Sequence, residues 1–202
     1  MKSLLIVFHT ATGGTGQMAA AAAAAAEPEA QVRLLRAHEA GPDDLLAADG
    51  YIFAAPENLA AIAGVMKDFF DRTYYPVLGR IEGRPFALLI CAGSDGANAA
   101  RQVARIAAGW RLRPVAEALI VRTKAQTPEA ILAPQVIAAA DLKKCAELGA
   151  TLAAAWPWGF SETFLGSRDR LSGAGRFYAG FIRWRCEPDR GLTPLAPNQP
   201  HP

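Results

Sequence analysis

An α/β fold built on a doubly wound parallel sheet is predicted by three features of this 202-residue sequence. Short, unbroken apolar runs recur along the chain, as expected of strands buried on both faces. Segments of helical composition or spacing lie between them. Each of three runs is followed by a loop rich in Gly, hydroxyl residues or Asn, at the end of the strand where open α/β sheets bind ligands.

The runs are Leu4–Phe8, Val32–Leu35, Tyr51–Ala55, Phe86–Ala92 and Val115–Val121, which makes five strands. Thr15–Glu27 is nearly all alanine and predicts the first helix. Ala40–Ala48 is the weakest helical segment. Leu59–Tyr74 places Leu59, Ile62, Val65, Met66, Phe69 and Phe70 at helical spacing, with Lys67, Asp68, Asp71 and Arg72 opposite. Ala97–Trp110 and Val136–Trp156 complete the set. Strand–helix alternation implies right-handed crossovers, with helices on both faces of the sheet.

A chain of this length predicts one domain or one domain with an appendage. The composition shifts at Trp156-Pro157-Trp158-Gly159. Residues 1–156 form the expected domain, and residues 157–202 an extension rich in Pro, Arg and aromatics, partly irregular. Its Phe160, Phe164, Phe177, Tyr178, Phe181 and Trp184 are candidates to dock on the body or on a partner subunit.

Apolar residues make up 51% and charged residues 20%, enough to bury a large core. Net charge is +2, carried by the tail, since residues 1–156 hold 15 Lys/Arg against 15 Asp/Glu. A neutral body argues against steering of nucleic acid. The sequence holds 43 alanines, and 16 Arg against 5 Lys, skews that read first as coding bias. Cys91, Cys145 and Cys186 are odd in number, with no CxxC, which argues against a disulfide framework or zinc site and for a reduced, cytoplasmic setting. The apolar run at the N-terminus stops at His9, short of a signal peptide. Ala19–Ala26 is too short and too weakly apolar to span a membrane, so no membrane span is expected.

The first loop, His9-Thr10-Ala11-Thr12-Gly13-Gly14-Thr15-Gly16, joins a strand to a helix. Free helix N–H groups, hydroxyls and glycines suit an anion, and a simple helix cap is the alternative. It contains no Lys or Arg, so backbone donors and the helix dipole must supply the stabilisation. There is no GK[ST], and the spacing of Gly13, Gly14 and Gly16 does not fit GxGxxG. In the second loop, Ala55-Pro56-Glu57-Asn58-Leu59, Asn58 is either the N-cap of the next helix or a hydrogen-bonding partner for a heteroaromatic edge. In the third, Ala92-Gly93-Ser94-Asp95-Gly96-Ala97-Asn98, the glycines permit close approach, while Ser94 or Asp95 could merely cap a helix. Cys91 does not open a C-x5-R motif, because the seventh position is Ala97. No metal cluster and no histidine–carboxylate–nucleophile set can be assembled. A phosphate cradle without acid–base machinery points to chemistry done by a bound cofactor.

At these loops the sequence resembles the flavodoxin-like superfamily, and within it the NAD(P)H-dependent FMN reductases and flavodoxin-family proteins. Thr10 to Thr15 resembles the family's phosphate loop; Ala55-Pro56-Glu57-Asn58-Leu59 with Met66-Lys67-Asp68-Phe69-Phe70-Asp71-Arg72 resembles its flavin loop and the helix that follows. The resemblance covers residues 1–155. It implies strand order 2-1-3-4-5 and FMN as the cofactor, with NAD(P)H as cosubstrate. It also implies that Thr10, Ala11, Thr12, Gly13, Gly14 and Thr15 hold the phosphate. Pro56, Glu57, Asn58 and Leu59 would meet the ring, as would Ala92, Gly93, Ser94 and Gly96. Residues 56–60 and 92–97 contain no aromatic to cover the ring, and the body is not acidic, which favours a reductase passing electrons to a quinone, flavin or other small acceptor over a carrier with a protein partner. Arg101, Arg105 and Arg122 are candidates for a 2′-phosphate. A homo-oligomer is expected, because a neighbouring subunit would complete the open cleft, with Tyr74-Tyr75-Pro76 and the tail as candidate interfaces.

Overall fold

The computed structural model describes residues 2–154, 184–187 and 191–194. The chain divides into two compact units, Met1–Trp158 and Gly159–Pro202. In the first, a parallel sheet is laid down by β1 (Ser3–Phe8), β2 (Gln31–Arg36), β3 (Gly50–Asn58), β5 (Pro85–Ala92), β6 (Arg113–Pro114) and β7 (Leu119–Arg122), with the two-residue β4 (Ala61–Ile62) antiparallel on β3. The helices are α1 (Gly14–Ala26), α2 (Pro42–Ala47), α3 (Gly64–Val77), α4 (Ala97–Gly109), α5 (Pro128–Leu132) and α6 (Ala139–Ala154). The order across the sheet is β2-β1-β3-β5, then β6 and β7 along the far edge of β5. Counting β6 and β7 as one interrupted strand, this is the expected order 2-1-3-4-5.

Each strand residue alternates between faces, and the two cores follow that alternation. Leu5, Val7, Tyr51, Phe53, Phe86, Leu88 and Ile90 face Leu45 of α2, Met66, Phe69 and Phe70 of α3, and Val103 of α4. Leu4, Ile6, Ile52, Ala54, Ala87, Leu89 and Cys91 face Met18 and the alanines of α1, and Cys145 and Leu152 of α6. Because both faces are covered, the strands read as apolar runs rather than alternating ones. The alanine tract has a structural use beyond coding bias. Ala19, Ala22, Ala23 and Ala26 are buried, and α6 approaches so closely that a Cβ on Gly149 would lie 2.1 Å from the Ala22 carbonyl oxygen.

Three elements depart from the sequence reading. The fifth strand is not continuous over Val115–Val121. Between Phe86↔Pro114 and Leu89↔Leu119 the edge strand has two more residues than β5 can pair, so residues 115–118 leave the ladder. The helix expected from Leu59 begins at Gly64. Residues 59 and 60 instead turn β3 back into β4, with Glu57 opposite Ile62 and Asn58 opposite Ala61. Leu59 and Ile62 matched helical spacing only by coincidence: Ile62 is 7% exposed and Leu59 fully exposed. The segment before α6 holds a separate short helix, α5, capped by Thr127, whose Oγ1 accepts the Ala130 N–H at 3.3 Å.

In the second unit, β8 (Trp184–Glu187) and β9 (Gly191–Pro194) form an antiparallel pair. The other tail residues, and with them the expected docking of Phe160, Phe164, Phe177, Tyr178 and Phe181, lie outside the described residues.

Tyr51 and Arg84 tie α2 to the sheet. The buried Tyr51 hydroxyl donates to the Leu45 carbonyl at 2.7 Å and accepts from Arg84 Nη1 at 3.0 Å. Burial pushes the phenol up to about 12, against a smaller opposing pull from Arg84. A folded-state value above the unfolded value of 10 means that this contribution to stability is present below pH 10 and is lost as pH rises toward 12. The expected loss over that window is on the order of 2 kcal/mol. Tyr51→Phe should flatten it. Thermal melts at pH 9 and 11.5 check this, and equal losses in wild type and variant would refute it.

Candidate functional site

β1, β3 and β5 end side by side, and the three loops leaving them converge. The first starts at His9, whose N–H donates to the Ala54 carbonyl at 3.0 Å. Thr10 Oγ1 accepts the Gly13 N–H at 3.0 Å, closing the loop on itself. Gly13 stands at φ +91°, a conformation costly for any residue with a Cβ. α1 starts at Gly14, and its first satisfied helical N–H is that of Gln17, bonded to the Gly13 carbonyl at 3.1 Å. The N–H groups of Gly14, Thr15 and Gly16 thus head the helix dipole without helical partners.

Thr15 is 2% exposed, and its Oγ1 has no hydrogen-bond partner among the described residues. The Cys91 thiol beside it is pushed up by burial and only eased by this hydroxyl, and a thiol is too weak a donor or acceptor to satisfy it. A Cβ on Gly14 would meet that same sulfur at 3.0 Å, so the glycine lets the loop settle onto β5. His9 is held below the ordinary imidazole range, first by burial and then by the positive charges of Arg36 and His38.

The second loop is a β-hairpin rather than a helix cap. Asn58 is an exposed strand residue and caps nothing, because α3 starts six residues later. The central turn residues, Leu59 at φ 50° and Ala60 at φ 58°, both adopt the left-handed conformation that two-residue hairpins require and that Asn-Gly usually supplies. Neighbouring α4 holds the turn in place. Glu57 accepts the Gly96 N–H at 2.7 Å and faces the Ala99 N–H at 3.5 Å. Asn98 Nδ2 donates to the Ala60 carbonyl, and Gln102 Oε1 accepts the Ile62 N–H at 2.9 Å.

In the third loop, neither Ser94 nor Asp95 caps α4. Its N-cap is Gly96 at φ +82°, and the Glu57 carboxylate from the second loop takes the Gly96 N–H and stands 3.5 Å from that of Ala99. A Cβ on Gly96 would lie 2.5 Å from Ile120 Cγ2, and one on Gly93 2.6 Å from the Ala125 carbonyl oxygen.

That last approach reveals a fourth segment, residues 123–137, of which the sequence reading assigns only Val136 and Ile137, to a helix that in fact begins at Ala139. Its Thr123 N–H donates to the Ala92 carbonyl at 2.8 Å, and its Gln135 N–H to the Thr12 carbonyl at 2.8 Å. The Gln17 side chain fastens it further, donating to the Gln135 carbonyl at 2.7 Å and accepting the Ile137 N–H at 3.2 Å. The signal was available as a strand-to-helix connection too long for a simple turn, with Thr127-Pro128 marking a helix start inside it.

Comparison with known proteins agrees with this geometry. A family model described as NADPH-dependent FMN reductase matches residues 38–126, which takes in the second and third loops but begins after the first. A flavodoxin from Aquifex aeolicus (strain VF5) is 33% identical over 97 residues, 47% of this chain. The chain spans about half the length of that curated relative, since the match covers 50% of it. Among solved structures, the flavodoxin, WrbA-like protein from Agrobacterium tumefaciens superposes with a TM-score of 0.62 at 21% identity, covering 77% of this chain and 97% of that one. Flavodoxin 1 from Bacillus cereus gives 0.62 at 18% identity, covering 76% and 98%. Rubredoxin oxygen:oxidoreductase from Desulfovibrio gigas gives 0.64 at 16%, covering 77% of this chain but 36% of its own. The chain has a flavodoxin-like fold.

The loops of this flavodoxin-like protein fit a phosphorylated flavin. The orphaned Thr15 hydroxyl and the open head of α1 match the acceptor oxygens of a phosphate. The structure brings the predicted residues of all three loops to one end of the sheet. Glu57 differs in kind from the rest, because its carboxylate is engaged on α4. Arg101 bonds Asn98, and Arg122 Nε bonds the Asp95 carbonyl at 3.1 Å.

Proposed function

We propose that this protein is an FMN-dependent oxidoreductase that accepts hydride from NAD(P)H and passes electrons to a quinone, flavin or other small acceptor, in a cytoplasmic setting. The observation that carries this reading is the bare flavin edge. Residues 56–60 and 92–97 contain no aromatic, so nothing in the two loops stacks on a ring held between them, and a flat cosubstrate can. The FMN-reductase description of the matched family model supports it.

Thr10, Ala11, Thr12, Gly13, Gly14 and Thr15 would hold the phosphate through loop N–H groups and hydroxyls. Pro56, Glu57, Asn58 and Leu59 on one side, and Ala92, Gly93, Ser94 and Gly96 on the other, would flank the ring. Bound FMN supplies the hydride-accepting chemistry. The chain's own residues orient and shelter it. Glu57 fixes the hairpin against α4, the glycines let backbone approach, and the exposed Asn58 can hydrogen-bond the ring's edge. A homo-oligomer that completes the cleft belongs to the same reading.

A second reading, an electron carrier with a protein redox partner, is favoured by one feature. Leu59 at the hairpin tip is fully exposed, and Leu132 and Val136 on the 123–137 segment are 77% and 87% exposed.

Visible absorbance of FMN-loaded, desalted protein, before and after anaerobic NADPH, separates the two. We expect a retained flavin band that bleaches, and its loss on desalting from the Thr12→Ala, Thr15→Ala double variant. A band that is retained but stays oxidised would favour the carrier. A wild type that retains no flavin would overturn the assignment of a tightly held cofactor.

A further inference from the structure

The phosphate loop itself carries no Lys or Arg, although a flavin phosphate is close to a dianion at neutral pH. The fold brings cations to it from the neighbouring strand. Phe8 and Arg36 stand opposite each other at the ends of β1 and β2, and the Arg36 guanidinium lies over the Phe8 ring, 5.4 Å from its centroid. A Cβ on Gly16 would stand 3.8 Å from Phe8 Cε2 and 3.3 Å from the Thr10 methyl carbon Cγ2, so the ring and the Thr10 side chain both lie beside the first turn of α1. Arg36 is therefore one aromatic ring away from the loop.

Its charge is not spent elsewhere. Among the described residues, no carboxylate pairs with the Arg36 guanidinium. The nearby Glu39 carboxylate takes the Arg36 backbone N–H at 3.2 Å and lies 3.7 Å from His38 Nε2. Burial first, and then the positive field of Arg36 and His38, depress the pKa of His9, which directly precedes Thr10.

We propose that Arg36 supplies the counter-charge for the phosphate of the bound flavin nucleotide and so selects phosphorylated flavin over riboflavin. This rests on the flavin reading above and adds a side-chain charge to the backbone donors and helix dipole expected of the loop. A unit charge within about a Debye length of a dianion, across partly solvated protein, changes its affinity by roughly three- to tenfold, and salt weakens the effect.

Fluorescence titration of the full-length protein with FMN and, separately, with riboflavin tests it. Arg36→Ala should weaken FMN binding by about three- to tenfold, with riboflavin unchanged, and Arg36→Lys should retain most of the difference. Glu39→Gln should tighten FMN alone. Raising salt to about 0.5 M should bring Arg36→Ala and wild type together. FMN affinity within about twofold of wild type in Arg36→Ala at low salt would overturn the proposal. So would a parallel loss of riboflavin, which marks a merely structural role. If wild type binds neither flavin, the flavin reading itself fails, and this one with it.

Discussion

Gly149→Ala should destabilise the protein by about 3 kcal/mol, reversing the usual sign of the substitution. Within an exposed helix, alanine is favoured over glycine by about 1 kcal/mol. At position 149 the new Cβ would lie 2.1 Å from the Ala22 carbonyl oxygen and 2.8 Å from both the Ala22 carbonyl carbon and its Cα. These are backbone atoms in the middle of a 13-residue helix that itself packs on β1, β3 and β5 through Met18, Ala19 and Ala22. Neither helix can yield by turning a side chain, so α6 must lift off α1 and uncover Cys145 and Leu152. Urea melts of the variant check the loss. Gly64→Ala at the start of α3, where an added Cβ meets nothing within 4 Å, is the control and should be neutral or slightly stabilising. Equal stability of the two variants would show that the α1–α6 contact is looser than described.

Arg84→Met should cost about 3 kcal/mol, although the residue is only partly buried and pairs with no carboxylate among the described residues. Its Nη1 shares two hydrogens among the carbonyls of Leu45 and Leu46 at 3.0 Å each, that of Ala48, and the Tyr51 hydroxyl at 3.0 Å. These carbonyls are at the C-terminal end of α2, where helical partners run out and the dipole is negative. A six-residue helix is too short to persist alone, so this cation holds it closed. Methionine keeps the aliphatic stem and removes only the donors. Because Tyr51 shares the network, Arg84→Met and Tyr51→Phe should combine to less than the sum of their separate losses. A loss below about 1 kcal/mol, or strict additivity, would show that solvent replaces the guanidinium cheaply.

The sheet was legible because its strands are buried on both faces, leaving apolar runs such as Leu4–Phe8 and Phe86–Ala92 that no helix period explains. The first loop was legible for a local reason, since glycines and threonines at a strand-to-helix junction announce their backbone needs. What escaped was everything set by tertiary partners. The hairpin at Leu59–Ala60 carries no turn residues, because Asn98, Gln102 and Glu57 on either side of the contact with α4 impose its shape. Glu57 reads as a ring-flanking residue in sequence, and its bond to the Gly96 N–H, 39 residues along the chain, has no signal there. Gln17 and Gln135, which fasten the fourth segment 118 residues apart, have no sequence pattern at all. Alanine abundance concealed a function of alanine, since close helix packing and coding bias look alike in a composition.

The hairpin's tip has a further consequence for how this surface can diversify. Its curvature is dictated from α4, so the two residues at its apex are relieved of any duty to shape the turn, and one of them, Leu59, meets only solvent. Identity there is thus only loosely coupled to architecture, short of proline and the β-branched residues that a left-handed backbone penalises. On the proposed flavin reading, the hairpin tip beside the ring can exchange its outermost side chains, toward a different reaction partner or a different docking protein, without renegotiating the scaffold beneath. A library randomised at positions 59 and 60 would sample new specificities on an inherited frame, with glycine and asparagine relaxing the backbone as they enter.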